Sequence, residues 1–479
     1  MLSVEPVTHF LASHTVRPSH LRILAVIVLL MMLDGVDLQL LALTAPLIVD
    51  DWGITAGAMA PALTAALVGM TVGTVTGGWL GDRLGRRPVI LGSAVLFGIM
   101  TLLTSQAWDT WSLTTIRLLA GFGFGALTPN IYSLSGEIFP TRLRARVMGL
   151  LAIGIPIGGV VGSGLTLVTV DLIGWRGCFA AVGALTLVIA AFALRMIPES
   201  PTYLVITKSE TSATNALCRI TGRTAEEVHT RVTESRIPQE NVAAGFSEPA
   251  GPARSEDSGG LFGSASRRLT VGASLSFFAL FFITYGFLNW QPTLLKTAGL
   301  SMDKTLEASL VLNTMSTIGG LLVAVGLDRV GSRATLIVGA LVSGVTLVFI
   351  PVLIPLAVDG STRGTAGLFF AIGLVGIVLG YVGATLYATV AVGYPVPYRS
   401  SGVGFTAAVA RASGITVTFS GGVLLAVSDN GVVFFGTLVS MCVALLCGSL
   451  INNRHIAPVR ERATPNNAEA EAEVSHGAR

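Results

Sequence analysis

From Arg22 to Asn452 the chain is a succession of long apolar stretches separated by short polar turns, interrupted once by a long polar stretch. Windows of about 20 residues, the length of helix that crosses roughly 30 Å of hydrocarbon, pick out about twelve such segments. They fall at approximately 22–48, 56–80, 88–107, 112–134, 144–170 and 176–197, then 269–296, 306–327, 334–356, 364–392, 401–427 and 431–452. Lipid cannot satisfy backbone polar groups, and these runs far exceed a barrel strand of about 10 residues, so they predict helices. The expected fold is all-α and integral to the membrane, with twelve transmembrane helices.

The polar interruption contains Ser247, Glu248, Pro249, Gly251, Pro252 and the run Asp257 to Gly260, and divides the segments six and six. The expected organisation is a tail at 1–21, a six-helix bundle at 22–197, a partly disordered linker at 198–268, a second bundle at 269–452 and a tail at 453–479.

Composition agrees with lipid: 52% of the 479 residues are hydrophobic, mean hydropathy is +0.74 and only 12% are charged, about half the usual share. Of the 30 Lys and Arg, only Arg176, Lys296, Lys304 and Arg363 fall in or beside outward loops, so both termini are expected in the cytoplasm. The net charge of +3 expresses that bias. No contiguous basic helix is present, which argues against nucleic-acid binding. The four cysteines form no CxxC pair, and the six histidines, His9, His14, His20, His229, His455 and His476, lie in tails or linker, so no metal site or disulfide framework is indicated. The first apolar run is too long for a signal-peptide core and reads as the first helix.

A charged turn recurs at the same place in each half. Between segments 2 and 3 it reads Gly78-Trp79-Leu80-Gly81-Asp82-Arg83-Leu84-Gly85-Arg86-Arg87; between segments 8 and 9 it reads Ala324-Val325-Gly326-Leu327-Asp328-Arg329-Val330-Gly331-Ser332-Arg333. The first copy resembles the GxLxDRxGRR loop signature of the major facilitator superfamily, and the second is a degenerate version with Ala324 and Ser332. Pro198-Glu199-Ser200-Pro201 resembles a boundary motif of the same superfamily. A narrower resemblance, to the aromatic acid:proton symporter family, rests on Asp34-Gly35-Val36-Asp37, on Arg117 to Asn130, on Leu288 to Leu295 and on Arg399 to Arg411. It implies two pseudo-symmetric six-helix bundles around a central cavity. It also implies uptake of an aromatic carboxylate driven by the proton gradient, in a bacterial inner membrane, with no cofactor.

A carboxylate at the bilayer centre costs roughly 2.5–3.5 kcal/mol on insertion scales, so Asp34 and Asp37 must face a cavity or a partner. Spaced i, i+3, they share one helix face, and burial beside a like charge favours the protonated form of one, which makes them the expected proton-coupling site. Arg117 and Arg411 are equally costly in lipid and each needs an anion. The family fold places segments 1 and 4 in one half and segment 11 in the other, so Arg117 is the expected partner of the first-helix acids and Arg411 that of a substrate carboxylate through paired hydrogen bonds, the alternative being that both arginines are structural ion-pair partners. Tyr285, Asn289 and Trp290 of segment 7, Tyr381 and Tyr387 of segment 10, and Gln39 and Asn130 are candidate lining residues; Tyr and Trp also form interfacial belts.

Gly78, Asp82, Arg83, Gly85, Arg86, Arg87, Asp328 and Arg329 belong to turns too far from mid-membrane to touch substrate, and are expected to act as a conformational latch; the superfamily resemblance implies that Asp82 meets the N-terminal end of segment 11, and the alternative is that the arginines serve only as a topology signal. Gly154, Pro156, Gly158, Gly159, Gly162 and Gly164 of segment 5 read as close helix packing, and also resemble part of a drug:proton antiporter signature. An exporter is therefore the rival within transport, and a nontransporting receptor the rival outside it. No phosphate-binding loop and no nucleophile–base constellation is present, so an enzyme is not expected. A monomer is expected.

Overall fold

Each apolar stretch closes its own backbone hydrogen bonds as a helix, and the polar turns supply the caps and breaks. The computed structural model describes residues 18–207, 210–221, 223–228, 260–264, 266–394, 399–426 and 431–457, with Val7 and Leu11. Its helices are α1 Pro18–Trp52, α2 Ala60–Leu84, α3 Arg86–Thr104, α4 Thr110–Ile138, α5 Thr141–Met196, α6 Pro201–Thr207, α7 Glu210–Thr221, α8 Arg267–Thr297, α9 Met302–Val330, α10 Ser332–Val358, α11 Thr362–Gly393, α12 Arg399–Ala426 and α13 Val432–Ile451.

Ten stretches among the described residues are long and apolar enough to cross a membrane. The difference from twelve has two sources. Segments 5 and 6 run on as the 56 residues of α5, broken only at Gly174 (φ 65°, ψ 175°). Segment 4 forms α4, which is not among the ten and carries Arg117, Asn130 and Glu137.

Two compact units divide the chain: Met1–Leu41 with Pro61–Ser255, and Ala42–Ala60 with Glu256–Arg479. The first is built on closely apposed helices. Gly154, Gly158 and Gly162 of α5, one per turn, lie against Met31, Met32 and Val36 of α1, and a Cβ at Gly158 would stand 2.0 Å from the Met32 carbonyl oxygen. A second such seam, absent from the sequence expectations, joins α2 to α4: Gly69, Gly73 and Gly77 meet Leu118, Phe122 and Ala126. In lipid, where apolar surface alone drives no helix association, such backbone-to-backbone contact is what holds helices together.

In the second unit Gly319 of α9 and Gly380 of α11 make the corresponding seam, against Ile377 and Ser316. Helix α8 packs on α12 and α13. The end of α1 and the 3₁₀ turn Ala56–Met59 belong to this unit, where a Cβ at Gly422 would stand 2.8 Å from Gly57 Cα.

The start of the expected linker is ordered as helix. In α6 and α7, Leu204, Ala213 and Ala216 form a small core flanked by Tyr203 and Val205, and Ser19 donates to the Ile220 carbonyl at 2.8 Å. Ala213, Ala216, Leu217 and Ile220 fall at i, i+3, i+4 and i+7, an amphipathic pattern masked by the low average hydrophobicity of the region. The run Ser247 to Gly259 lies outside the described residues.

Candidate functional site

In the first unit α1 and α4 bring three ionisable side chains together away from solvent. Asp34, Asp37 and Arg117 are 2%, 2% and 1% exposed. The Arg117 guanidinium grips Asp37 in a fork, Nη1 to Oδ1 at 2.9 Å and Nη2 to Oδ2 at 2.5 Å. Thr101 of α3 donates to Asp37 Oδ1 at 3.2 Å, and the Phe179 ring closes over the guanidinium at 5.7 Å. Asp37 is thus fully engaged. Asp34, one turn earlier on the same face, is within electrostatic reach of both partners, yet its Oδ2 has no hydrogen-bond partner and neither has Arg117 Nε. Two acids that the sequence presents as equivalent are chemically distinct here. Gln39 is buried nearby in the chain on α1.

Asn130 sits elsewhere on α4. Its Nδ2 donates to the Gly77 and Ala126 carbonyls at 2.8 and 2.9 Å, and its Oδ1 lies where a Gly81 Cβ would fall, so it locks α2 to α4. Beyond it the signature turn is held by the segment that follows α5. Gly85 turns with φ 97°, and a Cβ there would stand 2.6 Å from Glu199 Oε2. Arg86 reaches Glu137 at 2.8 Å, Ser133 at 2.7 Å and Ser200 at 3.0 Å, and Ser200 donates to Glu137. The Arg87 backbone N–H donates to Glu199 at 3.1 Å, its guanidinium to the Leu194 carbonyl at 2.7 Å, and Tyr203 Oη to the Arg83 carbonyl at 3.0 Å. The two sequence motifs are therefore one structure. Gly78 faces open space; Asp82 is exposed, without a partner among the described residues; Arg83 lies over Trp79 at 4.1 Å.

In the second unit the candidates separate. Trp290 is wholly buried, its Nε1 donating to the Thr418 carbonyl at 3.1 Å, and Asn289 donates to Thr418 Oγ1 at 2.9 Å. These two bind α8 to α12. Tyr381 lines an apolar crevice with Val338 and Val378, its hydroxyl against Gly326. Tyr285 and Tyr387 instead join an aromatic face. Phe277 and Phe281 stack at 5.9 Å, Tyr387 stands edge-on to them at 4.9 and 6.2 Å, and Phe281 meets Tyr285 at 6.1 Å. Arg411 of α12 lies within electrostatic reach of Tyr387, and among the described residues no carboxylate pairs with it. Gly414, three residues on, gives the Tyr285 ring its place: a Cβ there would stand 2.6 Å from Tyr285 Cδ2.

Phe281 and Gly414 did not emerge from the sequence reading. The spacing Phe277, Phe281, Tyr285, one per helical turn, was the available signal. The side chain of Asp328 lies outside the described residues, and Arg329 is exposed. Among the described residues no group of His, Cys, Asp and Glu is placed to hold a metal ion.

Closely apposed apolar helices carrying buried ion-pair chemistry define a multi-pass membrane protein. The family model of the Major Facilitator Superfamily matches residues 27–419, and the chain belongs to that superfamily; it is a transporter and not an enzyme. It is 27% identical to a gallate transporter of Pseudomonas putida, over 92% of this chain and 93% of the relative. It is 26% identical to the 4-hydroxybenzoate transporter PcaK of Pseudomonas putida, over 85% and 87%. The resemblance to transporters of aromatic acids thus extends over nearly the whole length. The fold is similar to that of the xylose transporter XylE from E. coli in a partially occluded inward open conformation, with TM-score 0.67 at 16% identity, covering 92% of this chain and 99% of that one.

Proposed function

We propose that this chain imports a small aromatic carboxylate by proton symport through alternating access, across a bacterial inner membrane, as a monomer with both termini in the cytoplasm and the proton gradient as its energy source. The observation that carries the reading is the inequality of the two acids on α1. Asp37 is held by Arg117 and Thr101, while Asp34 keeps an oxygen without a partner. A buried carboxyl with no counter-ion of its own is the group suited to take and release a proton, and the adjacent ion pair is the group suited to sense it.

The relatives' names and the second unit support the substrate class. Arg411 offers a guanidinium fork for a carboxylate. Phe281, Tyr285 and Tyr387 offer ring faces and edges for an aromatic body, with tyrosine hydroxyls as anchors. A free cation beside such rings suits an anionic aromatic ligand better than a cationic drug. Asp82 and the signature turn are assigned the part of conformational latch, biasing the populations of transport states without touching substrate.

The test is uptake of a panel of labelled aromatic carboxylates into proteoliposomes, with and without an inward proton gradient at zero membrane potential. Gradient-dependent accumulation of one acid, lost in Asp34→Asn, is the expected result. Failure with every acid, together with gradient-driven export of cationic or neutral drugs, overturns the reading in favour of an exporter. Binding without any flux would make the chain a receptor.

A further inference from the structure

The chain leaving α13 turns back onto the second copy of the charged turn. Ser332 and Ile456 exchange two hydrogen bonds: the Ser332 N–H donates to the Ile456 carbonyl at 2.9 Å, and the Ile456 N–H to Ser332 Oγ at 2.8 Å. Arg454 donates from Nη1 to the Gly393 carbonyl at the end of α11 at 2.9 Å, and its N–H donates to Asn452 Oδ1 at 3.0 Å. Between them lies His455, half-buried, with Nε2 3.0 Å from the Ser449 carbonyl and Nδ1 3.3 Å from Ser332 Oγ. A carbonyl only accepts, so Nε2 carries the hydrogen and Nδ1 of the neutral ring accepts from the Ser332 hydroxyl. That leaves Ser332 Oγ to accept the Ile456 N–H. With the imidazole neutral, every donor in this network has an acceptor.

We propose that residues 452–457 form a clasp on the turn between α9 and α10, shut by neutral His455 and released when that ring takes a proton. Protonation at Nδ1 would place a second hydrogen against the Ser332 hydroxyl, whose own hydrogen would then lose its acceptor, and would set a positive ring in a half-buried site. The charge facing the ring is Arg333 of α10, like-signed to an imidazolium, while the neighbouring Arg454 points to Gly393. Burial first, with Arg333 adding to it, holds the imidazole below its ordinary value of 6.5, against the opposing pull of the Ser449 and Asn452 carbonyls. The free segment binds the proton more tightly than the docked one. Docking is therefore at full strength above pH 6.5 and weakens as the pH falls through that value toward the docked pKa.

The position of the clasp also accounts for a departure in the sequence. Ser332 stands where the first copy of the turn has Arg86, and it is 0% exposed. An arginine there would occupy the place of the docked segment. Each unit ties its turn to the chain leaving its last long apolar helix, the first through Arg86 to Ser200 and the Arg87 N–H to Glu199, the second through Ser332 and Ile456. If the C-terminus is cytoplasmic, as proposed above, acidification of the cytoplasm by proton import is what opens the clasp. The clasp itself depends on neither orientation nor transport.

Hydrogen exchange on the purified full-length protein in lipid nanodiscs tests it, comparing peptides over Ser449–Ala457 and Val330–Leu336 at about pH 7.5 and about pH 5.5, each corrected for intrinsic exchange. Wild type should lose protection in both peptides at the lower pH, by about tenfold for each unit separating the free and docked pKa values. His455→Gln, which keeps a donor toward Ser449 but does not titrate, should show the same protection at both pH values. Ser332→Ala should be weakly protected throughout. Equal protection in wild type at both pH values, or an undiminished pH effect in His455→Gln, would overturn the proposal. Because no substrate or gradient enters the measurement, failure of the symport reading would leave this result untouched.

Discussion

At the scale of single residues, the division between Asp34 and Asp37 yields opposite expectations for two substitutions that look alike. Asp37→Asn leaves the Arg117 charge buried without its anion, a loss of about 3–5 kcal/mol in comparable buried pairs, and should lower the thermal unfolding midpoint of the purified protein. Asp34→Asn removes no hydrogen bond at Oδ2 and should leave that midpoint unchanged while abolishing gradient-driven accumulation. Equal destabilisation by both would show the two acids to be one structural unit. Arg411→Lys keeps charge and loses the fork, so apparent affinity for the transported acid should weaken about tenfold, the equivalent of one charge-assisted hydrogen bond. Unchanged affinity in a transport assay would take Arg411 off the carboxylate. The acids and arginines were legible because charge in an apolar run is expensive wherever it lies. Which acid takes the guanidinium depends on the rotation of α1 against α4, and no local pattern encodes that.

At the scale of elements, α8 shows how one helix carries two jobs. Tyr285 and Trp290 are five residues apart, about 140° around the axis, so they face different neighbours. Tyr285 joins the aromatic face, and Trp290 is consumed in the packing of α8 on α12. Sequence reasoning gave them one role because both are aromatic in one segment. The glycine seams are a second case. Those of α5 were legible as close packing from their spacing, whereas Gly69, Gly73 and Gly77 passed as ordinary members of an apolar run. Gly73→Leu should cost at least about 1–3 kcal/mol, since even a Cβ there would stand 2.2 Å from the Phe122 carbonyl oxygen. A fluorescence thermal-shift measurement on purified protein checks this, with Gly78→Leu, which faces open space, as the neutral comparison.

At the scale of the whole molecule, the charged turn is the feature that recurs in both units. Arg86→Ala should strand the partly buried Glu137 and destabilise the first unit by about 1–3 kcal/mol, read as a lower unfolding midpoint. Ser332→Ala should act only on the C-terminal segment and the turn it clasps. What the sequence determined by itself was membrane residence, helical class, the duplication and the identity of the costly charges. Those follow from composition and spacing, because lipid penalises exposed backbone and charge regardless of what surrounds them. Tertiary structure decided which acid is paired, which aromatic rings face one another, that the Pro198–Pro201 motif serves the signature turn, and that Ser332 holds the chain beyond α13. Each of these rests on at least one contact between residues tens to more than a hundred positions apart, set by how helices rotate and approach, which local pattern does not encode.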